Sequence, residues 1–368
     1  MNSTPLICPP LSRLGLALFA SVTFIPGACA GLPSSGNSVA ASATGFVHSA
    51  NEGEDSMNRI DLAISGVMTL PLPVTPHNVQ ISHGVGRLFV VGSMAGQMKM
   101  VAPTAAPGDA TNAAAKEPGR LLIFDAHAPN AASAMPVAVG RAPAHVIVAA
   151  SGERAYVSNV EDNAVSVVDA ARGLVVGSIP TAASPHGLRM SPDGREIYVA
   201  ATKGNAVSVI DVATSTEVTR IPVGKAPVQV GFTPDGTRAH VSLRDDNAVA
   251  VVDTQTRRLI TTIPVGRSPI QLFATPDGNF VYVANQGTER EPDNTVSVID
   301  TRRNMVVKTL TTDRGAHGVV ISDDGSRVFI ANTFAGTVST IDTATQRAIG
   351  WVRVGAGSGG ITHRPGSR

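Results

Sequence analysis

Gly152, Gly194, Gly236 and Gly278 recur about 42 residues apart, and a fixed period of that size is the mark of a repeated structural unit. Glycines of this series close turns of one kind: Ser-Pro-Asp-Gly at 191–194, Thr-Pro-Asp-Gly at 233–236 and 275–278, and Ser-Asp-Asp-Gly at 322–325. Pro presets φ, Asp closes an Asx turn and Gly tolerates positive φ, so these are hairpin connections.

Each turn is followed by a short alternating run, such as Ala155-Tyr156-Val157-Ser158-Asn159 or Val281-Tyr282-Val283-Ala284-Asn285, whose period of two predicts a strand. A second run ends at Asp169, Asp211, Asp253, Asp300 or Asp342, and a third ends in Ile-Pro-Val-Gly at 221–224 and 263–266. With the run before the turn, for example Val228 to Phe232, every repeat holds four strands. The predicted fold is all-β: a seven-bladed β-propeller of four-stranded antiparallel blades. Six blades begin near His77, His145, His186, Val228, Ile270 and His317. The seventh is shared by the termini, Phe46 to Pro73 supplying three strands and Gly359 to Pro365 the innermost one, which closes the ring and removes exposed edges. One propeller over residues 45–368 accounts for the length, with a long insertion at about 93–119.

The Tyr-Val-x-Asn segments, Val-Ser-Val-Ile-Asp-Thr at 296–301 and the Ile-Pro-Val-Gly segments resemble the YVTN family of β-propeller repeats, over residues 76 to 355. That resemblance implies a prokaryotic, exported propeller. It implies little about chemistry, because related propellers serve as domains of methylamine dehydrogenase, nitrous oxide reductase and haem-type nitrite reductase.

Residues 1–30 read as a signal peptide: Arg13, an apolar run from Leu14 to Ile25 too short to span a membrane, then Ala28 and Ala30 in the small-x-small pattern of a cleavage site. The competing reading makes Cys29 a lipid anchor, but Pro26 stands where a lipobox wants Leu, Val or Ile. Both readings place the mature protein in the periplasm or outside the cell, with residues 31–44 as a flexible lead. Cleavage removes both cysteines, Cys8 and Cys29, leaving Met and His as the soft metal ligands. It also removes Arg13, and 28 basic residues then balance 28 acidic ones, which argues against nucleic acid as a partner. Aromatics at 4% argue against a carbohydrate-stacking cleft.

Three connections exceed the repeat length, at Glu52 to Met57, Ser93 to Gly119 and Gln286 to Asp293, all between the second and third strands of a blade. They share a face with the starts of the innermost strands, and that face is the expected binding surface. On it, His77, His186 and His317 occupy one repeat position, with His145 one place later; Val228 and Ile270 fill the same position elsewhere. Three imidazoles on one rim suit a metal, a haem edge or an anion if they converge, and otherwise cap backbone groups between blades. Met94, Met98 and Met100 form a second candidate, a thioether group suited to Cu(I), or else side chains packed along a strand. The acidic loops, Glu52, Glu54 and Asp55 with Glu289, Glu291 and Asp293, lack the spacing of a Ca²⁺ loop. The repeated aspartates read as turn caps. The chain has no nucleophile elbow, His-Glu-x-x-His, Walker loop, Cys-x-x-Cys-His or dinucleotide fingerprint.

These observations favour an exported, non-catalytic scaffold that binds a protein or small ligand on its loop-rich face. Two alternatives follow: a copper- or other metal-binding accessory of periplasmic redox chemistry, and a lactonase-like hydrolase. The metal reading requires the rim histidines to point into the funnel.

Overall fold

The computed structural model describes residues 44–82, 84–95 and 117–366. The signal peptide, both cysteines, Met98, Met100 and the middle of the long insertion lie outside the described residues. No helix among the described residues is long and apolar enough to cross a membrane.

The described residues contain 28 strands, β1 to β28 in chain order, arranged as seven four-stranded antiparallel sheets. The innermost strands are β4 (Val74–Ser82), β8 (Pro143–Val148), β12 (Pro185–Met190), β16 (Pro227–Phe232), β20 (Pro269–Ala274), β24 (Ala316–Ile321) and β28 (Ser358–Pro365). Each touches the next, and β28 touches β4, so the ring is closed. β28 pairs with β1 (Gly45–Asn51), which continues through β2 (Ser56–Asp61) to β3 (Gly66–Pro71); the termini thus share a blade as the repeat count requires.

The turn chemistry operates as the residues dictate. In the turn at 191–194, the Ser191 hydroxyl donates to Asp193 (2.6 Å), Asp193 accepts from the Arg195 N–H (3.1 Å), and Gly194 sits at φ +73°. Asp169, Asp211, Asp253, Asp300 and Asp342 each accept backbone N–H groups two or three residues on. Their role is to cap turns. The asparagines that end the second strands tie them to the third: Asn159 donates to Ser166, Asn285 to Ser297 and Asn332 to Ser339.

The apolar residues of facing blades interlock into separate clusters between sheets, for example Tyr198, Val207 and Val209 against Val230, Phe232 and Val241. The core is therefore a ring around the axis. One position of the second strand carries a large buried side chain in every blade: His48, Phe89, Tyr156, Tyr198, His240, Tyr282 and Phe329. At His48 and His240 both ring nitrogens are buried without a hydrogen-bond partner, and burial pushes the imidazoles down to about 3 and about 4. An imidazole whose folded pKa is depressed stays neutral while the unfolded chain takes up a proton, so stability is lost as pH falls below the unfolded value near 6.5. His240→Phe, which restores the residue type found at Phe329, should raise unfolding stability by about 1–2 kcal/mol at pH 7, because it removes an unpaired buried N–H. The gain should grow by roughly 1 kcal/mol per pH unit between pH 6.5 and 4. Urea unfolding at pH 7 and pH 5 measures both.

The long connections lie where expected, between the second and third strands of their blades. Their backbones meet the starts of the innermost strands: the N–H of Gly53 donates to the Ala356 carbonyl, and that of Gly315 to the Asp293 carbonyl.

Candidate metal centre

The innermost strands begin with Pro, Ala or Ser, except β4, which begins at Val74 and reaches Pro76 two residues on, and each then bulges by one residue against its neighbour. The register shifts between Pro76 and Asn78, between Pro143 and Val146, and between Pro185 and Leu188. A bulge re-aims side chains and raises local twist. Here it turns the rim residues of β4, β8 and β12 toward the axis.

The result is a compact cluster: one ligand nitrogen from each of His77, His145 and His186 lies within 4.8 Å of the others. The His77 and His186 Nε2 atoms are 3.3 Å apart, and the ring centroids of the three lie 5.0 to 5.5 Å from one another. His145 is wholly buried; the other two are partly so. Glu52, on the β1–β2 connection, pairs with Nδ1 of His77. His186 Nδ1 lies 3.3 Å from the Val228 carbonyl oxygen, and Gln229 Nε2 lies 3.5 Å from Nδ1 of His145.

These outer contacts fix the protons. Next to a carboxylate and a carbonyl, Nδ1 of both His77 and His186 must carry hydrogen, so each neutral ring presents an Nε2 lone pair to the other. Two lone pairs at 3.3 Å repel unless something positive lies between them, and the candidates are a proton on His77 or a cation. Burial opposes a charge on His77, but the Glu52 carboxylate and its hydrogen bond outweigh burial and raise the imidazole above its ordinary value. Glu52 is lowered in turn: burial raises it, and the His77 charge and hydrogen bond more than compensate. Burial, reinforced by the neighbouring imidazoles, holds His186 down at about 3 and His145 well below its usual value. Without metal, His77 is the ring of the three that most readily holds the extra proton, and His145 and His186 are held neutral.

Of the histidines expected on one rim, the structure brings together His77 and His186. His317 stays outside the group of three, its place taken by His145. His317 is near enough for its charge to act on Glu52, His145 and His186, and burial lowers it to about 4. His145 stands one repeat position after His77 and His186, the bulges of β4, β8 and β12 having the same register, and it joins the cluster from that next position. Glu52 was visible only as part of an acidic loop. Met94 lies at the end of β5 (Arg87–Met94), and the other two methionines of that candidate fall outside the described residues.

A family model described as the cytochrome D1 heme domain matches residues 144–286. No curated protein matches the sequence. Among solved structures, the chain is similar to Kuenenia stuttgartiensis hydrazine synthase, with 22% identity over 78% of this chain and 88% of that one and a TM-score of 0.62. It is also similar to a functionally unknown protein from Desulfotomaculum acetoxidans, with 15% identity over 88% of this chain and 100% of that one and a TM-score of 0.68. A haem held between these two imidazoles, or within the axial cavity beside His145, does not fit the described residues. The axial ligands of a haem stand on opposite sides of a flat ring, whereas Nε2 atoms 3.3 Å apart leave no room for a macrocycle between them. The axial cavity below the cluster, about 100 Å³, is also well short of the roughly 300 Å³ at which cofactor sites begin. The match and both structural likenesses agree with the seven four-stranded sheets, and the chain is a β-propeller.

Proposed function

We propose that this chain is an exported β-propeller that holds a divalent transition-metal ion at the mouth of its channel, on His77, His145 and His186. The reading follows the accessory-protein alternative rather than the plain scaffold. The observation that carries it is the 3.3 Å separation of the His77 and His186 Nε2 atoms, each ring donating its other N–H to a fixed oxygen. Two imidazoles on a tetrahedral ion with metal–nitrogen bonds of 2.0–2.1 Å stand about 3.3–3.4 Å apart. A carboxylate behind a ligating imidazole is the usual outer support of such sites: it sets the tautomer and raises the basicity of the ligand. Glu52 does this for His77, and the Val228 carbonyl does it for His186.

Three nitrogens without sulfur suit Zn²⁺ or Cu²⁺ better than Cu(I). A bound ion supplies Lewis acidity at a position left open toward the rim. The protein orients the rings through Glu52 and Val228, and the Glu52 charge offsets part of the ion's. The likeness to the D1 heme domain and to hydrazine synthase suits a redox setting for such a centre, and the leader at residues 1–30 suits export.

Elemental analysis of protein purified from the periplasm, followed by Zn²⁺ and Cu²⁺ titration, tests the reading. One equivalent of metal is expected, lost in the His77→Ala/His145→Ala/His186→Ala variant and kept in His317→Ala. A wild type that takes up no stoichiometric metal, or a triple variant that retains it, sinks the proposal.

A further inference from the structure

Below the histidines the channel changes character. One repeat position, the one His145 occupies in β8, carries Asn78 in β4, Gln229 in β16 and Gln271 in β20. Two residues further along β12, on the same side of the strand, stands Arg189. All of them line one axial cavity of about 100 Å³, the space of roughly three water molecules.

The amide orientations are set by backbone donors. The side-chain oxygen of Asn78 accepts from the N–H of Val146 (3.4 Å), that of Gln229 from Val230 (2.9 Å) and that of Gln271 from Val319 (3.3 Å). With the oxygens committed, the NH₂ groups are what each amide has left to offer the channel. Gln271 is 5% exposed, and its Nε2 is buried with no partner in the protein. Arg189 makes no hydrogen bond or ion pair among the described residues. Its guanidinium lies over the Phe273 ring, 4.8 Å from the centroid. Burial lowers it to about 10, so it remains charged. One carboxylate, Asp323, lines the cavity, half exposed and engaged by His363 at 3.2 Å. The half-buried Arg189 guanidinium has no hydrogen-bond partner among the described residues, and the buried N–H of Gln271 is expensive to leave unmatched; both border the same small volume. The channel is lined for a species rich in acceptors and negative in charge.

We propose that the channel binds a small anion, an oxyanion or carboxylate of a few heavy atoms, on the Arg189 guanidinium and the Gln271 amide. The anion-binding groups are not the three histidines, although His145 also lines this cavity. Arg189 supplies the charge and a planar pair of donors suited to two oxygens of the anion. The cavity volume limits the size of what enters.

The test is titration calorimetry and thermal unfolding of EDTA-treated full-length protein with sodium nitrate and with inorganic phosphate, ionic strength being held constant with gluconate. Saturable binding of at least one of the two is expected, weakened by ~10-fold or more in Arg189→Met and largely recovered in Arg189→Lys. If Arg189→Met does not fold, Gln271→Leu provides the same reading, with ~10-fold weaker binding. The proposal is overturned if neither anion saturates, or if the variants bind as the wild type does. It is also overturned if binding appears only once Zn²⁺ is added, since the anion would then rest on the metal.

Discussion

Ending the chain at Gly357 is expected to abolish cooperative folding. The truncation removes β28, which pairs with β1 at six residue pairs and packs against both β4 and β24. Ladder hydrogen bonds contribute about 0.5–1.5 kcal/mol each, and leaving the inner edge of β1 open adds the burial lost around Val47 and Ile361. Their sum rivals the 5–15 kcal/mol by which domains are ordinarily stable. The change also converts a closed ring into one with a free strand edge, which promotes aggregation. Circular dichroism melts and size-exclusion chromatography measure the outcome, and a synthetic peptide of residues 358–368 added in trans should recover part of the folded signal. A truncated protein that melts cooperatively at the wild-type temperature would show that six blades and a partial seventh close unaided.

The second large effect concerns the metal and a proton competing for Nε2 of His77. Because Glu52 raises the folded pKa of this imidazole, its Nε2 keeps a proton to higher pH than an ordinary imidazole does, and a cation must displace it. Apparent Zn²⁺ affinity should therefore fall about tenfold per pH unit below that pKa and level off above it. The stability sign follows the same group: in metal-free protein the His77–Glu52 pair stabilises the fold below the unfolded value near 6.5, and that contribution is lost as pH rises through the raised folded value. Glu52→Gln keeps the shape and removes the charge. It should weaken Zn²⁺ binding by about 10–100-fold on the high-pH plateau and move the proton-competition limb to lower pH. A loss of affinity with the limb unmoved would mean that Glu52 acts only as packing. At a metal concentration about 100 times the dissociation constant, Zn²⁺ should stabilise the wild type by about 2.7 kcal/mol, and the variant by correspondingly less.

Almost all of the fold was legible in the sequence, because what specifies it is local. The Pro-Asp-Gly turns set hairpins through φ and Asx bonding within four residues, and the alternation from Ala155 to Asn159 follows from the pleat of a single strand. The repeated aspartates were correctly read as caps for the same reason: Asp169 and its equivalents satisfy N–H groups two or three residues away. Pairing of the termini was legible from the seven-fold count, since one blade lacked an inner strand and the C-terminus held a spare.

The site was only half legible. That His77 and His186 share one rim position could be seen from the repeat, in which Val228 and Ile270 fill the same position elsewhere. Which of the rim histidines meet could not, because His77 and His186 are 109 residues apart in sequence and come within hydrogen-bonding reach only through the curvature of the ring. His145 stands one repeat position after His77 and His186 and still joins them, and no feature of Glu52 marked it as the partner of His77. Arg189 and Gln271 are ordinary polar residues in the sequence, and only the closed channel reveals that they line one cavity. The sequence by itself determined the blade, its number and its closure, because hydrophobic period and turn chemistry act over a few residues. The tertiary structure alone decided which imidazoles converge, the pairing of Glu52 with His77 and the donor-lined cavity, because distance and desolvation across the axis depend on where seven strands from separate blades come to rest.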